Sequence, residues 1–239
     1  IFSHINENYS KYLNPKKKFL VIFRGINSEY YDSSKLKKEV SNSLRDLWDI
    51  DQAKKIILLP GRLTYWKGQE LFIESVSEFK NINPDLEFIA VILGSDQGRT
   101  VYKKKLERLV EQYNLSNEIK FIDNCKNMPA AYMLSDIVVS SSIEPEAFGR
   151  VAVEAQSMKK PILASNIGGS METIIDNKTG VLFETGNSKS LAKKLSEIIK
   201  LDALTLELMG NEGRKNVINR FNIDKMCLNT YSEYKKLFN

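Results

Sequence analysis

Glu146 and Glu154 stand eight positions apart, with Phe148 and Gly149 between them. If both were helical they would lie about 12 Å apart along the axis. That exceeds the roughly 5 to 9.5 Å between carboxylates that cooperate on one glycosidic bond. The spacing suits acids that hold hydroxyl groups at two ends of an extended ligand. Backbone N–H groups around Phe148 and Gly149 would open a helix, where an anion is favoured. A second segment, Gly61-Arg62-Leu63-Thr64-Tyr65-Trp66-Lys67-Gly68, follows an apolar run. Arg62 offers a planar fork of donors and Lys67 a flexible point charge, a pair suited to gripping a diphosphate from two sides.

Each motif alone has a plainer reading. The 61–68 segment fits an exposed basic loop, and the two glutamates fit surface acids near a helix start. The segment lacks the G-x-x-x-x-G-K-[ST] order, and neither Gly94 to Gly98 nor Gly168-Gly169 supplies G-x-G-x-x-G. Their company shifts the balance: positive side chains for phosphates, Gly149 for close backbone approach and acids for hydroxyls. That set describes a nucleoside diphosphate attached to a sugar. Glu144 lies close by but off this register. Cys125 to Met128, after the fourth strand, would lie near a base, though Met128 reads as core; Tyr65 and Trp66 serve packing as readily as stacking, and Asp96, Gln97 and Arg99 either border the site or cap the next helix.

The elements that must position these residues follow from periodicity. Strands are expected at 19–23, 54–59, 87–93, 118–122, 137–140, 161–164 and, short and edge-like, 181–183. Helices are expected from Ser33-Ser34 to about Leu47, at 69–79, after the polar loop 95–99 through about Tyr113, at 129–134, at 149–158, as one turn at 171–175, and from Ser188 to the end. Leu36, Val40, Leu44 and Leu47 would form one apolar stripe, as would Leu204 and Leu208, and residues 224–238 would close the chain as a helix. Strand, glycine-bearing loop and helix recur at spacings of roughly 20 to 35 residues, which predicts right-handed βαβ units. The fold class is therefore α/β, a doubly wound parallel sheet of Rossmann-like type. Ligands of such sheets bind beyond the carboxyl ends of the strands, where all the singled-out loops fall.

The 239 residues suffice for a full core, and 42% hydrophobic with 27% charged content is ordinary for a soluble globular protein. A net charge of +5 admits anionic ligands without singling out nucleic acid, because Lys and Arg are dispersed. No apolar run reaches the ~20 residues of a membrane span, and no signal-peptide pattern is present; a cytosolic location is expected. Cys125 and Cys227 read as free thiols, and His4 lies in a polar leader.

Taken together, Gly61-Arg62 with Lys67-Gly68, Glu146-x7-Glu154 enclosing Phe148-Gly149, and Gly168-Gly169 followed by Glu172 resemble the donor-binding half of retaining GT-B glycosyltransferases, family four, group 1 type. The likeness covers about Leu20 to Asn239. It implies the C-terminal half of a GT-B fold, with residues 1–18 the remnant of a preceding acceptor domain, 19–27 an interdomain linker strand and 28–239 the nucleotide-sugar-binding domain with its C-terminal helices. It implies a hexosyltransferase that moves a sugar with retention from a nucleotide-diphosphate sugar to a glycan or lipid-linked acceptor, in cell-envelope polysaccharide or lipopolysaccharide synthesis. Arg62, Lys67 and Glu146 would take the catalytic roles, the cations on the diphosphate and Glu146 on sugar hydroxyls. Glu154 would take the ribose hydroxyls, and Gly61 and the amides of Phe148 and Gly149 would complete the donor contacts. No metal and no cofactor is implied, and peripheral association of the full enzyme with the inner face of the membrane is compatible with it. A nucleotide-sugar binding module, inactive without a separate acceptor domain, is the alternative, and a nucleotide-sugar epimerase is disfavoured by the placement of His4.

Overall fold

The computed structural model describes residues 20–236. Six strands form one sheet: β1 Lys55–Pro60, β2 Phe88–Leu93, β3 Ile119–Ile122, β4 Ile137–Ser140, β5 Ile162–Ser165 and β6 Val181–Phe183. All neighbours pair in parallel, in the order β3-β2-β1-β4-β5-β6. Nine α-helices accompany them among the described residues: α1 Lys38–Leu47, α2 Gln69–Ile82, α3 Thr100–Gln112, α4 Met128–Leu134, α5 Arg150–Ser157, α6 Gly169–Thr173, α7 Ser188–Ile198, α8 Ala203–Arg220 and α9 Ile223–Lys235.

Alternation along the strands sorts side chains into two cores, because successive side chains of a strand point to opposite faces. Ile57, Leu59, Ala90, Ile92 and Val139 join Phe72 and Phe79 of α2, Leu106 of α3 and Leu191 and Leu195 of α7. Ile56, Leu58, Ile89, Val91 and Val138 join Tyr132 of α4, Ala152, Val153 and Ala155 of α5 and Val217 of α8. With both faces covered, the strands are near-continuous apolar runs; every residue of β2 is buried.

Three expectations need correction. Phe19 lies outside the described residues, and Leu20 to Phe23 form no strand. Phe23 instead packs edge-on against Phe221 at 5.5 Å, and Ile26 bridges Asn222 just past α8. Ser33-Ser34 do not cap the helix: Ser33 to Lys35 form a separate 3-10 turn, whose cap is the Asp32 carboxylate accepting from the Ser34 amide at 2.9 Å. Helix α1 begins only at Lys38 and leaves Val40 and Leu47 exposed, while Leu36, Leu44 and Trp48 carry the packing. In α8 the exposed face includes Leu204 and Leu208, and the buried face is Met209, Gly210, Gly213, Asn216 and Val217. The helix docks through small residues: a Cβ on Gly210 would lie 2.4 Å from the Lys159 carbonyl oxygen. Apolar spacing could not reveal a contact made by glycine. Helix α9 buries none of its residues. Among the described residues no helix is long and apolar enough to cross a membrane.

Candidate functional site

The strand order reverses between β1 and β4, and in an open parallel sheet the crevice at such a switch point receives ligands. The loops after β1 and β4 meet there. After Pro60 the chain runs through Gly61 and exposed Arg62 into a 3-10 turn, Tyr65–Lys67, ended by Gly68 in the left-handed region at φ 69°. Gly68 is packed so tightly on the β4 loop that a Cβ would lie 1.9 Å from the Ser141 carbonyl oxygen. The Ser141 hydroxyl donates to the carbonyls of Lys67 and Gly68 at 3.1 and 3.0 Å, and the Ile143 amide to that of Trp66 at 2.8 Å.

This stapling brings Lys67 to Glu146. The ammonium and carboxylate are 2.8 Å apart, each side chain 14% exposed, and the Ser142 hydroxyl donates to the same Glu146 oxygen. Lys67 Nζ also lies 4.6 Å from the Trp66 ring centroid, a cation–π contact. Among the described residues, by contrast, the Arg62 guanidinium has no ion-pair or hydrogen-bond partner, while the Arg62 carbonyl accepts from the Gln69 side chain at 2.8 Å. Among the described residues, one basic side chain is thus held and one left unpaired at the same edge.

Residues 144–149 are shaped from behind. The Gly169 amide donates to the Glu146 carbonyl at 2.7 Å, and a Cβ on Gly169 would lie 2.5 Å from the Phe148 carbonyl carbon. Phe148 packs its ring edge-on to Phe221 at 5.8 Å, so the residue turns its side chain to the core and leaves its backbone for the crevice. Gly149, at φ 73°, is the N-cap of α5. The amides of Phe148, Gly149 and Arg150 have no acceptor among the described residues. Unbonded amides at a helix start form an anion-binding end.

Glu154 sits one turn inside α5, apart from the Lys67–Glu146 pair. It is buried, accepts from the fully buried Tyr132 hydroxyl at 2.8 Å on one oxygen, and accepts from Arg150 Nε and NH2 at 3.1 and 2.8 Å on the other. Burial first, then the Glu154 carboxylate, holds the Tyr132 phenol well above its ordinary range, so it remains a donor. The same causes in the same order raise Tyr31, and Glu154 foremost raises Arg150. A cavity of about 440 Å³ adjoins this group, lined by Arg24, Tyr30, Tyr31, Phe148 and Arg150 among others. A larger one, about 790 Å³, lies at the opposite ends of the strands, between residues such as Asp49, Lys54, Asn117 and Lys120.

The remaining candidates fall outside the crevice or on its rim. Met128 packs against the core, the Cys125 thiol donates to the Asn127 carbonyl at 3.3 Å, and Asp96 accepts within its own turn from the Gly98 amide at 3.0 Å. Glu144 accepts from the exposed Tyr65 hydroxyl. Among the described residues no group of three or more His, Cys, Asp or Glu is placed to hold a metal ion. Four participants escaped the sequence reading: Ser141, Ser142, Tyr132 and Arg150. Only Arg150 carried a local signal, the i,i+4 spacing to Glu154 on a helix.

Residues 41–216 match the model of the family described as glycosyl transferases group 1. The chain belongs to that family. An uncharacterized glycosyltransferase of Methanocaldococcus jannaschii is 30% identical over 224 residues, covering 92% of this chain and 55% of its own length. The crystal structure of a glycosyltransferase from Rickettsia africae superposes with a TM-score of 0.93 at 33% identity, covering all of this chain and 61% of that one. Anabaena HepE, solved with UDP and glucose, shares the fold at a TM-score of 0.82 and 24% identity, over 91% of this chain and 57% of that one. This group 1 glycosyl transferase chain therefore carries the Rossmann-like architecture of GT-B glycosyltransferases and spans 55% and 61% of the lengths of the first two relatives.

Proposed function

We propose that this chain is the donor-binding domain, the C-terminal half, of a GT-B glycosyltransferase that transfers a hexosyl group with retention from a nucleotide-diphosphate sugar to a glycan or lipid-linked acceptor. The observation that carries the reading is the placement of Lys67 against Glu146 at the β1/β4 switch point, beside unbonded amides at the start of α5. The donor diphosphate would draw Lys67 from Glu146 and engage Arg62 and the helix terminus. As the bond to the sugar breaks, charge grows on the leaving diphosphate, and preorganised positive groups there stabilise it. Glu146, released from Lys67, accepts from sugar hydroxyls, while Glu154 receives the ribose. The UDP and glucose in the HepE structure support a nucleotide-hexose donor. In the complete enzyme a preceding domain, with residues 19–27 as linker, would supply the acceptor wall, and the product would enter cell-envelope polysaccharide on the cytosolic side of the membrane.

Calorimetric titration with UDP-, GDP- and ADP-sugars tests the proposal. Saturable binding of one nucleotide class is expected, and absence of binding by all three overturns it. A second reading takes the chain as a nucleotide-sugar binding module without turnover, because the groups gathered at the crevice are all assigned to the donor. Sustained donor hydrolysis or transfer by this chain alone would sink that second reading.

A further inference from the structure

Glu154 is only 8% exposed, and both its oxygens are already occupied. Tyr31 also stands close enough for this carboxylate to raise its phenol, and the two side chains that donate to Glu154, Tyr132 and Arg150, differ in one decisive respect. Tyr132 is fully buried, edge-on to Tyr31 at 6.1 Å between ring centroids, and cannot withdraw without unpacking the core. The Arg150 side chain is 69% exposed and lines the cavity of about 440 Å³, so it can turn into solvent at small cost. The bonds it would give up are two N–H donors to a single carboxylate oxygen, at 3.1 and 2.8 Å. A ribose 2′,3′-diol offers the same commodity, two adjacent O–H donors. Glu154 can therefore exchange one pair of donors for the other without ever being left buried and unpaired, the situation that makes a lone buried carboxylate costly.

We propose that Arg150 is a displaceable guard on Glu154: it positions and balances the carboxylate until ligand arrives and yields to the diol of the incoming nucleotide. This rests on the assignment of Glu154 to the ribose made above. Arg150 is thus a positioning residue that competes with ligand, and it lowers ribonucleotide affinity by the strength of its own pair.

The test compares wild type with Arg150→Ala and Arg150→Lys by calorimetry, using the diphosphate that wild type binds (UDP, GDP or ADP) and its 2′,3′-dideoxy counterpart. Removing the guard should tighten the ribonucleotide about two- to tenfold and leave the dideoxynucleotide unchanged. Arg150→Lys, which lacks the paired N–H donors, should shift the same way by less, and serves alone if the alanine variant fails to fold. A parallel loss for both nucleotides would make Arg150 a phosphate ligand and overturn the proposal. An unchanged preference for ribose over dideoxyribose would overturn it while leaving the donor site intact. Failure of wild type to bind any diphosphate would overturn both the proposal and the donor-site reading.

Discussion

At the scale of single residues, the two glutamates of the site are prepared differently. Glu146 shares an ion pair that stays within reach of ligand, whereas Glu154 is anchored by a phenol that never leaves the core. Tyr132→Phe should remove one donor from a buried carboxylate and destabilise the chain by about 1–3 kcal/mol. Thermal unfolding should show this as a lowering of roughly 2–4 °C per kcal/mol for a chain of this size; an unaltered midpoint would mean that Tyr132 does not hold Glu154. Of this residue-level detail, the sequence reading named Lys67, Glu146 and Glu154 but not their partners, although the i,i+4 spacing of Arg150 and Glu154 was there to be read. Lys67 and Glu146 could be placed at one edge but not against each other, because their approach depends on the Ser141 staple. Tyr132 could not be foreseen at all: it lies on a preceding helix, and its hydroxyl finds Glu154 only when α4 and α5 pack on the same face.

At the scale of elements, the site depends on two loops that touch through their backbones. Gly68 is where they come closest, and its left-handed conformation compounds the steric demand. Gly68→Ala should cost at least about 2 kcal/mol from strain and overpacking together, measured as a lowered urea midpoint; an unchanged midpoint would show that the loops can separate freely. Strands were the most legible elements. The expected 137–140 and 181–183 coincide with β4 and β6: β4 is a short β-branched run buried throughout, and β6 a short apolar run between turns. Legibility failed where packing was not carried by large apolar side chains. Leu20 to Phe23 have strand composition but no neighbouring strand, and α8 docks through glycines that no hydrophobic stripe reports.

At the scale of the molecule, the order β3-β2-β1-β4-β5-β6 makes the site possible, because it sets the β1 and β4 loops side by side and opens a crevice between them. Parallel pairing and the doubly wound architecture were legible from the recurrence of strand, glycine loop and helix; the strand order was not, since it is decided by which face each helix covers. The group 1 family match spans both loops, from residue 41 to 216. What the crevice of this chain presents is one wall with basic groups, unbonded amides and two acids, which is why the donor is the ligand proposed for it. The most direct measurement is calorimetric titration of the preferred nucleoside diphosphate into wild type, Lys67→Ala and Glu154→Ala. Each variant should bind more weakly by about 1–3 kcal/mol, as lost charge-assisted hydrogen bonds require. Wild-type affinity retained in both would contradict the assignment of the diphosphate to Lys67 and of the ribose to Glu154.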